Sequence, residues 1–192
     1  MKDRKNLTKC SIDTLKTVGL KSGDIVLDCC CGYGYYTVAA SKIVGKNGFV
    51  YAIDNDQERL NELQKEVNSN LYSNIKIIKE NVEEEISINN NSVNFVLLYD
   101  IFWYFPPQSN NLSTLLLEIY RVTALNGIIS VFPTHIDSHQ LKKLQDKMII
   151  AGFCLARKLK SRLVHDRGIE KGEILNYLYY FQDVFTHPSS FL

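Results

Sequence analysis

Apolar positions along this 192-residue chain fall into helix-spaced segments that alternate with short continuous apolar runs. Ile12, Leu15, Val18 and Leu20 approximate helical spacing, and Lys21-Ser22-Gly23-Asp24 supplies a turn before the run Ile25 to Leu27. Tyr35 to Val44 is rich in alanine and apolar residues and reads as a helix stopped by Gly45 and Asn47-Gly48. Phe49 to Ile53 is a second strand. Asp54 or Asp56 caps the helix that follows, in which Leu60, Leu63 and Val67 share one face, and Ile75 to Ile78 form a third strand. After the polar loop Asn89-Asn90-Asn91-Ser92, Val93 to Tyr99 is almost continuously apolar, as a parallel strand covered on both faces requires. Leu112, Leu115, Leu116, Ile119 and Val122 recur at steps of three and four, and Asn126-Gly127 closes that helix before the fifth strand, Ile128 to Phe132. A last helix, with Ser138 as its cap and Leu141, Leu144 and Met148 inward, ends at Ala151-Gly152.

The tail breaks this alternation. Phe153, Leu155, Leu159 and Leu163 interleave with Cys154, Lys158, Lys160 and Arg162, which describes an edge strand with one wet face. Gly168 to Gly172 reads as a tight link, and Ile174 to Phe181 is apolar and aromatic almost throughout. So short a link makes the two tail strands antiparallel and puts the second, which lacks a polar face, inside the sheet. The expected fold is α/β: a doubly wound, mostly parallel seven-stranded sheet with an antiparallel C-terminal hairpin. One domain is expected, with an N-terminal helical cap over residues 1–24, five β/α units over 25–152 and the hairpin over 153–182.

Composition narrows the class of protein. A hydrophobic content of 45% suits one compact core, and Lys plus Arg at 22 against Asp plus Glu at 21 exerts no global pull toward nucleic acid or acidic surfaces. The start, M-K-D-R-K-N-L-T-K, lacks a signal-like apolar core, and no run reaches the roughly 18 apolar residues of a membrane span. A cytoplasmic protein is expected. Five cysteines, with Cys29, Cys30 and Cys31 contiguous, suit neither a disulfide framework nor zinc spacing, so the triplet is read as packing and no metal is expected.

Candidate chemistry centres on the first strand. Ile25 to Gly34 reads I-V-L-D-C-C-C-G-Y-G, and the next strand ends in Tyr51-Ala52-Ile53-Asp54, about 20 positions past Gly34. A strand, a glycine turn and a distant acid in that order form a socket for a nucleoside. Small residues let the main chain approach the ligand, and the acid accepts hydrogen bonds from ribose hydroxyls. A dinucleotide-binding dehydrogenase shares these parts, but its G-x-G-x-x-G would run Gly32 to Thr37, with threonine where close helix packing requires Gly or Ala.

With V-L-D-C-C-C-G-Y-G, Y-A-I-D, the Lys79-Glu80-Asn81-Val82 segment and the closing hairpin, the chain resembles a class I S-adenosylmethionine-dependent methyltransferase over about residues 12–182. The small-molecule enzymes of the ubiquinone-biosynthesis type are the nearest branch. The resemblance implies S-adenosylmethionine as cofactor and S-adenosylhomocysteine as product. It implies Gly32 and Gly34 under the methionine and ribose portion, Asp54 on the ribose hydroxyls, Val82 offering its amide to the adenine, and Asn81 where the family usually has an acid. It also implies Asp28, Cys30, Tyr33, Asn55 and Tyr99 around the cofactor, with Cys30 replacing the motif's first glycine.

The segment Tyr99-Asp100-Ile101-Phe102-Trp103-Tyr104-Phe105-Pro106-Pro107 leaves the fourth strand at the ligand end of the sheet. Trp103, Tyr104 and Phe105 are the candidate acceptor wall for a small or flat molecule; the bland alternative is that they pack under a loop. His135, beside Asp137 after the fifth strand, is the candidate general base, with a backbone-bonded loop histidine as its alternative. His165 and Asp166 are read as structural. Neither the Asp/Asn-Pro-Pro-aromatic box of nucleic-acid amino methylation nor a prolyl-cysteine nucleophile follows the fourth strand. The basic stretch Arg157, Lys158, Lys160, Arg162 and Arg167 keeps an RNA substrate open, although such runs are more often solvated faces. The expected function is methyl transfer to a small-molecule acceptor. RNA or protein methylation, or a nucleoside-binding protein without turnover, remain as alternatives, and a neighbouring subunit of a homodimer is a candidate contributor to the cap.

Overall fold

The fold is described from a computed structural model, which describes residues 4–165 and 168–179. Helices are α1 (Arg4–Val18), α2 (Tyr35–Val44), α3 (Gln57–Asn70), α4 (Asn110–Val122) and α5 (Ser138–Ile150), and strands are β1 (Ile25–Cys29), β2 (Phe49–Asp54), β3 (Ile75–Lys79), β4 (Val93–Tyr99), β5 (Thr123–Phe132), β6 (Phe153–His165) and β7 (Gly168–Tyr179). The sheet runs β3-β2-β1-β4-β5-β7-β6; β1 through β5 are mutually parallel and β7 enters antiparallel between β5 and the edge strand β6.

Alternation along each strand sends side chains to two helical layers. Val26, Phe95, Leu97 and Tyr99 meet Leu15, Val18, Tyr36 and Ala40 of α1 and α2, while Ala52 meets Leu63 and Val67 of α3. On the other face Leu27, Val96, Leu98, Ile129 and Val131 bury Leu112, Leu115 and Ile119 of α4 and Leu144 and Met148 of α5. Both faces are therefore covered, which is why β4 carries a continuous apolar run. No helix among the described residues is long and apolar enough to cross a membrane.

Several local expectations are corrected. Of the two caps expected for α3, Asp56 serves, accepting from the Glu58 and Arg59 amides, which leaves Asp54 for another task. Asp137 rather than Ser138 caps α5, because a capping box with Gln140 satisfies donors in both directions. Asn126-Gly127 lies inside β5, not at the end of α4; Thr123 already pairs with Val93, and Asn126 takes a left-handed φ of 63° at the irregular start of the strand.

The segment Gly168 to Gly172 is strand, not link: β6 and β7 pair continuously to His165↔Gly168. Gly172 serves close approach, since a Cβ there would sit 2.4 Å from Phe132 Cε2. A register shift between Leu155 and Arg157 breaks the alternation of β6 and exposes Leu155. Asp166, Arg167, Phe181 and the end of the expected hairpin lie outside the described residues.

Candidate active site

The order of strands reverses between β1 and β4, and the carboxyl ends of β1, β2, β4 and β5 open there on a common crevice. After β1 the chain crosses into α2 with Cys30, Gly32 and Gly34 at φ of 59°, 53° and 73°. The Cys31 amide donates to the Ile53 carbonyl of β2 at 2.9 Å, and the Gly34 amide closes the turn on the Cys31 carbonyl at 2.9 Å. The Gly32 amide donates to Asp54 Oδ2 at 2.8 Å, and the Asp56 amide to Asp54 Oδ1 at 2.9 Å. A nearly buried carboxylate thus ties the loop after β1 to the turn after β2.

A cavity of about 660 Å³ lies over this loop, within the range of small-ligand sites. Asp28, Cys30, Gly32, Tyr33, Asp54, Asn55, Asn81, Val82, Tyr99, Trp103, Tyr104, Phe105 and His135 all line it. Gly34 does not. It begins α2 and faces away, and a Cβ on it would lie 2.3 Å from Leu63 Cδ1, so this glycine is required for packing of α2 on α3. At Gly32 the space is open: an added Cβ meets only Arg59 Nη1, at 3.8 Å.

At the β2–β3 side, the Glu80 amide donates to the Asp54 carbonyl, and Asn81 Oδ1 already accepts the Glu83 amide at 3.2 Å. Val82 is buried beneath them. At the β4–β5 side, Tyr99 stands edge-on to Tyr36, ring centroids 4.8 Å apart, and its hydroxyl pairs with Ser130 Oγ at 2.7 Å. Phe105 is buried, whereas Trp103 and Tyr104 are 73% and 59% exposed at the mouth. The aromatic segment therefore splits: Phe102 and Phe105 pack under the loop, and the two residues between them face outward. His135 Nε2 lies 3.2 Å from Asp100 Oδ1, with the Trp103 ring edge-on to the imidazole at 5.9 Å.

Electrostatics at the floor follow from burial. The Asp28 carboxyl is pushed up to about 7, chiefly because it is desolvated and secondarily because Asp54 is near; the Thr37 hydroxyl, donating at 2.6 Å, opposes this. Cys29 is buried, and its contact with Cys30 together with that burial pushes its thiol well up; burial does the same for Cys31. Cys29 and Cys30 pack with the α4 layer and Cys31 with the α3 layer, as small apolar side chains do. Among the described residues no group of three or more His, Cys, Asp or Glu is arranged to hold a metal ion.

Reading of the motifs missed Asp100, Arg59 and Glu80, which also line the cavity. Arg59 stacks over the Tyr33 ring at 5.6 Å and pairs with Asp56 at 3.2 Å. A cation in the first turn of a helix opposes the macrodipole, and that was the available signal for Arg59. Asp100 carried none, because its partners Thr134 and His135 lie in the loop after a different strand, β5. The basic residues Arg157, Lys158, Lys160 and Arg162 are exposed on the edge strand β6.

Comparison with known proteins places this geometry. A family profile described as a methyltransferase domain matches residues 20–181. A demethylmenaquinone methyltransferase of Geobacillus sp. (strain WCH70) is 29% identical over 122 residues, 64% of this chain and 50% of that protein. One from Lactobacillus johnsonii is 29% identical over 130 residues, 67% and 51% of the two chains. The chain spans about half the length of these curated relatives. Among solved structures, a SAM-dependent methyltransferase from Aquifex aeolicus has a TM-score of 0.71 at 22% identity, covering 93% of this chain and 100% of that one. Magnesium protoporphyrin IX methyltransferase from Synechocystis PCC 6803, with bound SAM, has a TM-score of 0.64 at 16% identity, covering 91% and 78%. These two likenesses concern the fold, while the matched profile runs from ahead of β1 to beyond β7: the chain belongs to the methyltransferase domain family.

Proposed function

We propose that the chain transfers a methyl group to a small, flat acceptor, with the donor along the Cys30–Asp54 side of the cavity and the acceptor beneath Trp103 and Tyr104. The observation that carries this reading is the Gly32–Asp54 hydrogen bond, which holds a carboxylate with accepting capacity to spare beside an open stretch of backbone. Those residues fit adenosine: Asp54 for the ribose hydroxyls, Asn55, Asn81 and Val82 for the base, and Gly32 with Asp28 for the cationic tail. When bound, the donor supplies an electrophilic methyl on a sulfonium.

The protein's own contribution is placement. The turn at Cys30–Gly34 and the Tyr36–Tyr99 ring pair are the parts that would receive the sulfonium end, since aromatic faces favour a cation. Tyr99 itself is held by Ser130, and its hydroxyl is pushed up by burial, so it acts as a neutral wall. In-line attack requires the acceptor atom about 3–3.5 Å from the methyl in a site that excludes water. Trp103 and Tyr104, exposed at the mouth, are the side chains available to cover such an acceptor. The demethylmenaquinone methyltransferases among the relatives make a ring-shaped acceptor the natural class to examine first.

The test is a structure with S-adenosylhomocysteine, paired with a radiolabelled methyl-transfer screen over small aromatic acceptors. Density beside Gly32 and Asp54 together with label transfer supports the reading. Binding without transfer to any acceptor favours a nucleoside-binding protein that has lost turnover, and density elsewhere ends the proposal.

A further inference from the structure

Asp28, next to last in β1, lines the cavity with 4% of its surface exposed. Its partner is Thr37 of α2, whose hydroxyl donates to Oδ2 at 2.6 Å. The titratable groups around it are Asp54 of β2, Tyr36 of α2, Tyr99 of β4, and Cys29 and Cys31 of its own strand and turn; none carries positive charge. Among the described residues no ion pair reaches Asp28. The rest of the lining repeats the sign. Asp54, Asp56, Glu80, Glu83 and Asp100 share the cavity with Arg59, which already pairs with Asp56, and with His135, which lies against Asp100. A buried carboxylate with no cation beside it lowers its cost by holding a proton, and burial, aided by Asp54, raises this carboxyl to about 7.

We propose that Asp28 makes the donor site specific for positively charged nucleosides by exchanging its own proton for the ligand's cation. This rests on the methyltransferase reading of the same cavity. As a cationic ligand seats, the Asp28 O–H bond breaks, its proton passes to solvent, and the electron pair stays on the carboxylate that now faces the cation. The net charge of the buried site is therefore the same empty and filled, and no carboxylate is left there unpaired. A neutral nucleoside offers no cation to replace the proton, so Asp28 keeps it. A nucleotide would bring phosphates among carboxylates, which like-charge repulsion opposes. Thr37 is a positioning residue: its hydroxyl holds Oδ2 and favours the ionised form, which keeps the exchange within reach of neutral pH. The donor's sulfonium and ammonium share the required chemistry, and ligands that carry both, one or neither tell them apart.

The full chain is titrated calorimetrically with S-adenosylmethionine, S-adenosylhomocysteine and 5′-methylthioadenosine in buffers of different ionisation heat, which counts the protons released per ligand bound. At about pH 6 the wild type is expected to release up to about one proton with S-adenosylmethionine and none with methylthioadenosine. Its affinity for S-adenosylmethionine should rise by up to about tenfold per pH unit as pH climbs to about 7, and level off above that. Equal release with S-adenosylhomocysteine assigns the cation to the ammonium, and release with S-adenosylmethionine alone assigns it to the sulfonium. Asp28→Asn keeps an acceptor for Thr37 and should lose this release and the pH dependence together; the ligands' own ionisations are common to both proteins and cancel in the difference. Thr37→Val should carry the levelling-off point to higher pH. Carbon-13 NMR of the Asp28 carboxyl reads the exchange without any variant: a carboxylic acid at about pH 6 in the empty protein, and a carboxylate once S-adenosylmethionine is added. The same proton count with methylthioadenosine, a wild-type count reproduced by Asp28→Asn, or an Asp28 carboxyl already ionised at about pH 6 in the empty protein would overturn the exchange. Failure of all three ligands to bind would instead refute the donor site beneath it, and the exchange with it.

Discussion

Asp54 Oδ2 accepts the Gly32 amide at 2.8 Å, joining the loop that follows β1 to the end of β2. The bond does two jobs at once. It satisfies an amide in a turn too tight for regular pairing, and it fixes one carboxylate oxygen so that the group's remaining lone pairs keep a constant direction toward the cavity.

Replacing Asp54 with alanine is expected to weaken S-adenosylmethionine binding about tenfold to a hundredfold, since a charge-assisted contact contributes roughly 1.5–3 kcal/mol. The melting temperature should fall as well, because the Gly32 and Asp56 amides lose their acceptor. Calorimetric titration and thermal denaturation check both; unchanged affinity removes Asp54 from the cofactor site.

Cys30 and Gly34 should respond with opposite signs. Cys30 occupies a left-handed conformation that glycine adopts without steric cost, so Cys30→Gly is expected to leave stability unchanged or raise it by up to about 1 kcal/mol. Gly34→Ala adds a Cβ 2.3 Å from Leu63 Cδ1 and should cost about 1–3 kcal/mol through overpacking. Urea denaturation of both variants decides; equal effects would mean that the α2–α3 contact yields easily.

Asp28 makes stability depend on pH in the less usual direction. Its carboxyl is raised by burial to about 7, so between the ordinary carboxylate range and about 7 the folded chain holds a proton that the unfolded chain releases. Folding stability attributable to this group is therefore full in acid, falls as pH rises toward 7, and is level above that. Asp28→Asn should flatten this slope in denaturation series taken from about pH 4.5 to 8. A slope identical to that of the wild type would assign the dependence to other groups.

Trp103→Ala should leave cofactor affinity within about twofold while raising the KM for an aromatic acceptor, the pattern of lost ground-state stacking. At 73% exposure the indole contributes little to the core, so melting should hardly move. A large stability loss with unaltered acceptor kinetics would show that Trp103 supports the loop and not the substrate.

Much of the fold was legible as rhythm. β4 reads as a continuous apolar run because helices cover both its faces, and β6 carries exposed charge because it is an edge. The turn at Cys30–Gly34 and the acid at Asp54 were legible as well, since a single β/α unit separates them. Errors came where one residue type serves two physical ends. Gly172 looks like a turn residue until Phe132 is seen against its Cα face, and Ser138 looks like a cap until Asp137 and Gln140 satisfy each other's backbone donors.

By itself, then, the chain's pattern determined the order of most strands and helices, that the sheet is doubly wound, and that the turn at Cys30–Gly34 lies beside the acid Asp54, because each depends on spacing within a few tens of residues. Tertiary structure alone decided that Asp100 meets His135, that Arg59 and Glu80 enter the cavity, and that Gly34 packs on Leu63. Those relations are set by how neighbouring strands align and how helices seat on the sheet. Strand register is a collective outcome of packing, and no local run of residues records it.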